Sequence, residues 1–70
     1  KKKVVWFGST MCDFCGKDCG DTLIDGVTNV GPWATMCKSC YDKHGIGHLG
    51  PGLGQMYKKN ADGKLEKVEG

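Results

Sequence analysis

Four of the five cysteines form two matched Cys-x-x-Cys pairs, Cys12 with Cys15 and Cys37 with Cys40, separated by residues 16–36. This spacing lets two sulfurs reach one ion at about 2.3 Å from each. Structural zinc takes four ligands in a tetrahedron, so two such pairs complete a closed site. We therefore predict one Zn²⁺ per chain, held by these four thiolates. Iron takes the same ligand set, and two disulfides or redox pairs are the other alternative.

Three further side chains have the chemistry of metal ligands. Cys19 follows Cys15 by four positions, and Cys-x3-Cys is the poorer partner for a metal here. We interpret Cys19 as a small loop residue, with a ligand role and a free reactive thiol as the alternatives. A completed four-cysteine site needs neither His44 nor His48. His44 falls at the end of a predicted helix, where it interacts with the helix dipole.

The length of the chain limits the core that it can form. Seventy residues predict one domain, 1–70. Twelve residues are glycine and only 39% are hydrophobic, so the apolar core is small. Chains below roughly 80 residues usually need a disulfide, a metal or a partner for stability. We expect a metal-stabilised zinc-finger core over 12–45, followed by a Gly-rich loop and a hairpin over 46–70.

The charge is balanced overall and uneven locally. The formal net charge of +2 counts the cysteines as neutral. Four thiolates around one Zn²⁺ would bring it to about zero, which gives the whole chain no bias towards nucleic acid. The lysines cluster near the two ends, and we interpret them as solvated surface: Lys1, Lys2, Lys3, Lys58, Lys59, Lys64 and Lys67.

The cysteine pattern also indicates a compartment. The longest apolar run, 4–7, is too short for a secretory signal or a membrane span. An odd number of cysteines does not suit a secreted disulfide framework. Paired cysteines without a signal are typical of a reducing compartment. We expect a cytoplasmic protein with no membrane partner.

The first half of the chain predicts strands around a turn. The β-branched and aromatic run 4–7 is typical of a strand. Asp25-Gly26 stands between apolar residues, and Asp-Gly is a strong hairpin signal because both residues tolerate positive φ. A second turn at 29–32 leads into a short strand at 33–36 that ends against Cys37.

The second half predicts a helix, a loop and a hairpin. Residues 37–45 lack β-branched side chains and end in His-Gly, which favours a two-turn helix closed by Gly45 in a left-handed cap. Half of the residues in 45–54 are glycine, so this segment is a loop. Residues 55–69 predict a hairpin with its turn at 60–63.

The residues that flank the two pairs differ, and this difference carries a resemblance. Gly16 follows Cys15, as in a zinc knuckle, whereas Tyr41 follows Cys40 as in the first turn of a helix. Free N–H groups at a helix start stabilise thiolate charge. Residues 12–45 therefore resemble a treble-clef zinc finger, in which a knuckle and a hairpin are followed by a helix that supplies the last two ligands. The resemblance is to the GATA-type fingers in particular.

The resemblance covers about half of the chain and implies a fold more than an activity. GATA-type fingers carry arginines after the hairpin tryptophan, whereas Trp33 is followed by Ala34 and Thr35, and the chain contains no arginine. DNA binding is therefore not implied. More loosely, "GPWATMCKSC" with "GIGHLGPGLGQMY" is similar to small zinc proteins encoded by phages, a resemblance that implies no activity.

Three classes of function remain. We expect a structural zinc domain that acts as a non-catalytic protein-interaction module. The alternative is a nucleic-acid-binding finger that uses the lysine-rich ends and exposed aromatic residues. An enzyme is disfavoured because a closed four-cysteine site has no position for water or a small-molecule substrate, and no histidine lies in 16–36 to act as a general base. "GIGHLG", 45–50, matches a dinucleotide-binding pattern but follows a helix instead of a strand, so we reject it.

The aromatic residues have two interpretations. In so small a domain most of them belong to the core, and one or two can remain exposed as anchors for a partner. The residues concerned are Trp6, Phe7, Phe14, Trp33 and Tyr57.

Overall fold

The protein is a small α+β fold with one four-stranded antiparallel sheet and one short helix. The computed structural model describes residues 4–70; the predicted solvated lysines at 1–3 lie outside these residues. The elements are β1 (Thr22–Val27), β2 (Trp33–Cys37), α1 (Lys38–His44), β3 (Gly54–Lys59) and β4 (Leu65–Glu69). The strand order in the sheet is β2-β1-β3-β4.

The prediction of a turn at Asp25-Gly26 is wrong, because both residues lie inside β1. They pair with Thr35 and Ala34 of β2, and the chain reverses after β1 at 28–32. A Cβ on Gly26 would come within 2.8 Å of the carbonyl oxygen of Leu53. Gly26 is therefore required for the close approach of β3 and not for a turn. The predicted strand that ends against Cys37 is confirmed as β2.

The helix is confirmed, but its predicted left-handed cap is wrong. Gly45 has φ −76° and ψ 167°, which is extended backbone, although its N–H still donates to the carbonyl of Tyr41 at 2.8 Å. The extended chain at Gly45 forms a bridge with Thr28 in the β1–β2 turn, and this pairing replaces a reversal. A side chain on Gly45 would collide with the ring of Tyr41. Glycine is needed here for space, and not for its φ.

The two ends of the predicted architecture differ in how regular they are. The strand predicted at 4–7 is reduced to a single bridge between Val5 and Glu66, with Trp6 N–H donating to the Leu65 carbonyl at 2.9 Å. The hairpin of β3 and β4 is confirmed. Its turn is held by the side-chain oxygen of Asn60, which accepts hydrogen bonds from the backbone N–H groups of Asp62 and Lys64.

Two buried clusters lie on opposite faces of the sheet, since neighbouring residues of a strand point to opposite sides. Ile24 and Met36 pack with Cys40 of α1 and with Cys12 in the segment that precedes β1. Leu23 packs with Tyr57 and Leu65 on the other face. The described helix has seven residues, and it lacks the length and apolarity needed to cross a bilayer.

Candidate metal centre

The four predicted ligand cysteines come together in space. The sulfurs of Cys12, Cys15, Cys37 and Cys40 all lie within 4.8 Å of one another. The Sγ atoms of Cys15 and Cys37 are 3.9 Å apart. A tetrahedron with bonds of about 2.3 Å separates its ligand atoms by about 3.8 Å. The cluster therefore has the dimensions of a four-thiolate metal site.

The same distances argue against the disulfide alternative. A disulfide joins two sulfurs at about 2.05 Å, and all five cysteines in this structure are free. The two pairs are brought together across the β1–β2 hairpin instead of being closed as separate bonds.

A tight turn positions the first pair. The N–H of Cys12 donates to the carbonyl of Lys17 at 2.8 Å, and the N–H of Gly16 donates to the carbonyl of Cys12 at 3.0 Å. Gly16 has φ 74°, in the left-handed region that favours glycine. The N–H of Phe14 points at the sulfur of Cys12, with an N–Sγ distance of 3.4 Å. Backbone N–H groups directed at sulfur stabilise thiolate charge.

The junction of β2 and α1 positions the second pair. Cys37 is both the last residue of β2 and the residue that precedes the helix, where its backbone is extended. Cys40 lies in the first turn of the helix and is only 7% exposed. The Cys37 sulfur lies 3.3 Å from the hydroxyl of Ser39. The strand-to-helix transition thus turns both sulfurs towards the first pair.

Two contacts join the pairs, and sequence reasoning missed both. Asp13, between the first two cysteines, donates its N–H to the Thr35 carbonyl and accepts the Thr35 N–H on its side chain, each at 2.8 Å. Phe14 stacks on His44 of α1, with ring centroids 4.2 Å apart and an angle of 13°. Neither contact has a local sequence signal, because each joins residues more than 20 positions apart.

The other candidate ligands lie outside the cluster. His44 contacts Phe14, and His48 is exposed in the loop after the helix. Cys19 packs against both apolar clusters. Burial raises the pKa of the Cys19 thiol to about 11, so it is neutral at pH 7. A neutral, half-buried thiol is a poor nucleophile, and the loop-residue interpretation fits this position.

The thiols of the cluster differ in acidity before an ion is bound. The hydroxyl of Ser39 and the N–H of Cys40 lower the pKa of Cys37 to about 6. Burial raises the pKa of Cys40 to about 12. Burial also raises the pKa of Cys12, but N–H groups of Cys15, Cys37 and Phe14 outweigh it and lower that pKa. Loading a metal ion must therefore release protons, and affinity falls as pH falls.

The donor set defines the chemistry that the site can perform. Four thiolates favour soft or borderline ions such as zinc and iron over hard ions such as Mg²⁺. If all four bind, they fill a tetrahedron and leave no position for water or substrate. The arrangement is suited to holding an ion, with Cys12 and Cys40 buried and Cys15 exposed.

The chain matches no protein-family model, no curated protein and no solved structure. What is established is a small α+β fold with a four-cysteine cluster placed to hold a metal ion.

Proposed function

We propose that the protein is a zinc-stabilised, non-catalytic module that binds another protein. The observation that carries this proposal is the cluster of four cysteine sulfurs within 4.8 Å. Zinc is favoured over iron because the proposed role of the ion is structural, and zinc has no redox chemistry that would call for an electron-transfer partner. Reduced thiols are required to bind the ion, which favours a reducing compartment such as the cytoplasm.

The treble-clef interpretation is part of the proposal. The elements follow one another in the order of that fold. The turn at Gly16 comes first, the β1–β2 hairpin follows, and the helix begins after Cys37. The β3–β4 hairpin extends the sheet beyond this unit. The sheet and the ion together give a rigid support for side chains on the surface.

The closed donor set supports a non-catalytic role, and the surface charge supports a protein partner. Asp13, Asp18 and Asp21 are exposed around the first cysteine pair. Asp18 and Asp21 lie beside Lys59, so carboxylates accompany this lysine and would weaken a phosphate contact there. The exposed aromatic side chains Phe7 and Trp33 are the features that favour the nucleic-acid alternative.

A salt-dependence experiment separates the two classes. The zinc-loaded protein is titrated with fluorescent single-stranded DNA and RNA at low and at physiological salt. Our proposal predicts no saturable binding at low salt. Binding that weakens steeply with salt would show phosphate contacts and would replace the protein-interaction module with a nucleic-acid-binding finger.

A further inference from the structure

A cleft lies between the N-terminal segment and the β3–β4 hairpin, on the face of the sheet that carries Leu23 and Tyr57. Its volume is about 360 Å³. Buried Leu65 and half-buried Trp6 supply apolar walls, and the exposed side chains at its edge are Phe7, Asp18, Lys59 and Lys64. The metal cluster does not contribute to it.

The tryptophan wall is held in place by the protein itself. The indole N–H of Trp6 donates to the Ser9 carbonyl at 3.0 Å. Its ring packs against Tyr57 with centroids 5.3 Å apart. A Cβ on Gly8 would lie 2.9 Å from the Trp6 ring, so glycine lets the chain fold back over it. This wall needs no rearrangement to receive a ligand, which lowers the cost of binding.

Phe7 has no such support. It is 94% exposed, the highest value among the exposed large hydrophobic residues of the described chain. An aromatic ring in water next to a pre-formed apolar cleft is typical of an anchor for a partner. An apolar side chain entering the cleft would be covered by Phe7 on one side and would meet Trp6 on the other.

The charges at the edge decide which partner fits. The Nζ atom of Lys59 lies 3.8 Å from Oδ1 of Asp21, so this lysine has an ion-pair partner. Among residues 4–70, Lys64 has no carboxylate within ion-pair distance. Asp18 is opposite in charge, and its oxygens accept hydrogen bonds from the Thr10 hydroxyl and the Gly20 N–H. A phosphate backbone offers only negative charge and would be repelled by Asp18. A peptide can direct backbone N–H groups at Asp18 while a carboxylate side chain pairs with Lys64, so it suits a cleft of mixed charge.

We propose that this cleft binds an apolar side chain of a partner peptide, and that Lys64 pairs with a carboxylate next to it. This inference rests on the proposed function, since it assigns the surface through which the module binds a protein. The occupant is an acidic, apolar peptide segment.

The test titrates the full zinc-loaded chain with two acetylated, amidated tetrapeptides, Glu-Leu-Phe-Glu and Gln-Leu-Phe-Gln. NMR spectra of the protein monitor the binding of each peptide. We expect the acidic peptide to shift the Trp6 indole and Leu65 signals saturably. The uncharged peptide should bind about 2- to 5-fold more weakly, the value of one exposed ion pair. Lys64→Gln should abolish this preference, whereas the charge-matched control Lys43→Gln should keep it.

A second pair of variants tests the apolar contact. Phe7→Ala should weaken both peptides about 10-fold or more, and Val30→Ala, also at an exposed apolar residue, should weaken neither. Both positions are exposed, at 94% and 69%, so neither change disturbs the core.

The contrary results are distinct. Shifts confined to another surface, no saturable shift at Trp6, or an unchanged preference in Lys64→Gln would each overturn the cleft assignment. The first of these would leave the proposed protein-interaction function standing. If an eight-nucleotide thymidine strand bound at Trp6 more tightly than the peptides and in a salt-sensitive way, both the cleft assignment and the proposed protein-interaction function would be overturned.

Discussion

Removing the Asp13 side chain should loosen the metal centre although Asp13 is not a ligand. The carboxylate accepts the Thr35 N–H at 2.8 Å and thereby ties the first cysteine pair to β2. A hydrogen bond to a charged group contributes about 1.5 to 3 kcal/mol. Asp13 is exposed, and solvent weakens its hydrogen bond, so we take a value just below this range, about 1 to 1.5 kcal/mol.

Because metal binding and folding are coupled, this loss appears in the zinc affinity. We expect Asp13→Ala to raise the zinc dissociation constant about 5- to 10-fold. Asp13→Asn keeps an acceptor oxygen and should fall between Asp13→Ala and the unchanged protein. The assay is a competition titration against a chromogenic zinc chelator at fixed pH and salt.

The control removes the same charge elsewhere. Asp62 lies in the β3–β4 turn, and within residues 4–70 only its backbone N–H takes part in a hydrogen bond. Asp62→Ala should change zinc affinity by less than about 2-fold. Equal effects of Asp13→Ala and Asp62→Ala would refute the reasoning, because net charge alone would then explain both.

Three further predictions concern the ligands, the sheet and the ion. Cys15→Ser should lose both the bound zinc and the folded structure, whereas Cys19→Ser should keep both. Metal content and circular dichroism measure the two effects, and equal damage from both changes would return Cys19 to the site. Gly26→Ala places a Cβ 2.8 Å from the Leu53 carbonyl and should cost about 1 to 3 kcal/mol, seen as a lower Tm; an unchanged Tm would contradict the close packing of β1 on β3. A strong chelator under reducing conditions should unfold 12–45 as one unit and release the packing of Trp6, and dispersed backbone NMR signals that survive complete metal removal would contradict this.

The parts of the fold that local chemistry determines could be predicted from sequence. Two cysteines at Cys-x-x-Cys spacing can reach the same ion, so two such pairs predicted the cluster of four cysteines. The β3–β4 turn was predictable because Asn60 stabilises it with its own side chain and Gly63 adopts φ 77°. The helix after Cys37 followed from the absence of β-branched residues in 37–45.

Non-local packing explains what could not be predicted. Gly26 carries a hairpin signal, but the approach of Leu53 places it inside a strand. Gly45 carries a helix-cap signal, but pairing with Thr28 keeps its backbone extended. The contact of Asp13 with Thr35 depends on the folded hairpin, and no short segment contains both partners.

The most direct test of the central claim is native mass spectrometry of the protein prepared under reducing conditions. Four thiolates on one ion predict a single species with one zinc per chain, lighter by the protons that the bound cysteines release. Acidification should return the metal-free mass. A metal-free chain, two ions per chain, or iron in place of zinc would contradict the assignment of one structural zinc to Cys12, Cys15, Cys37 and Cys40.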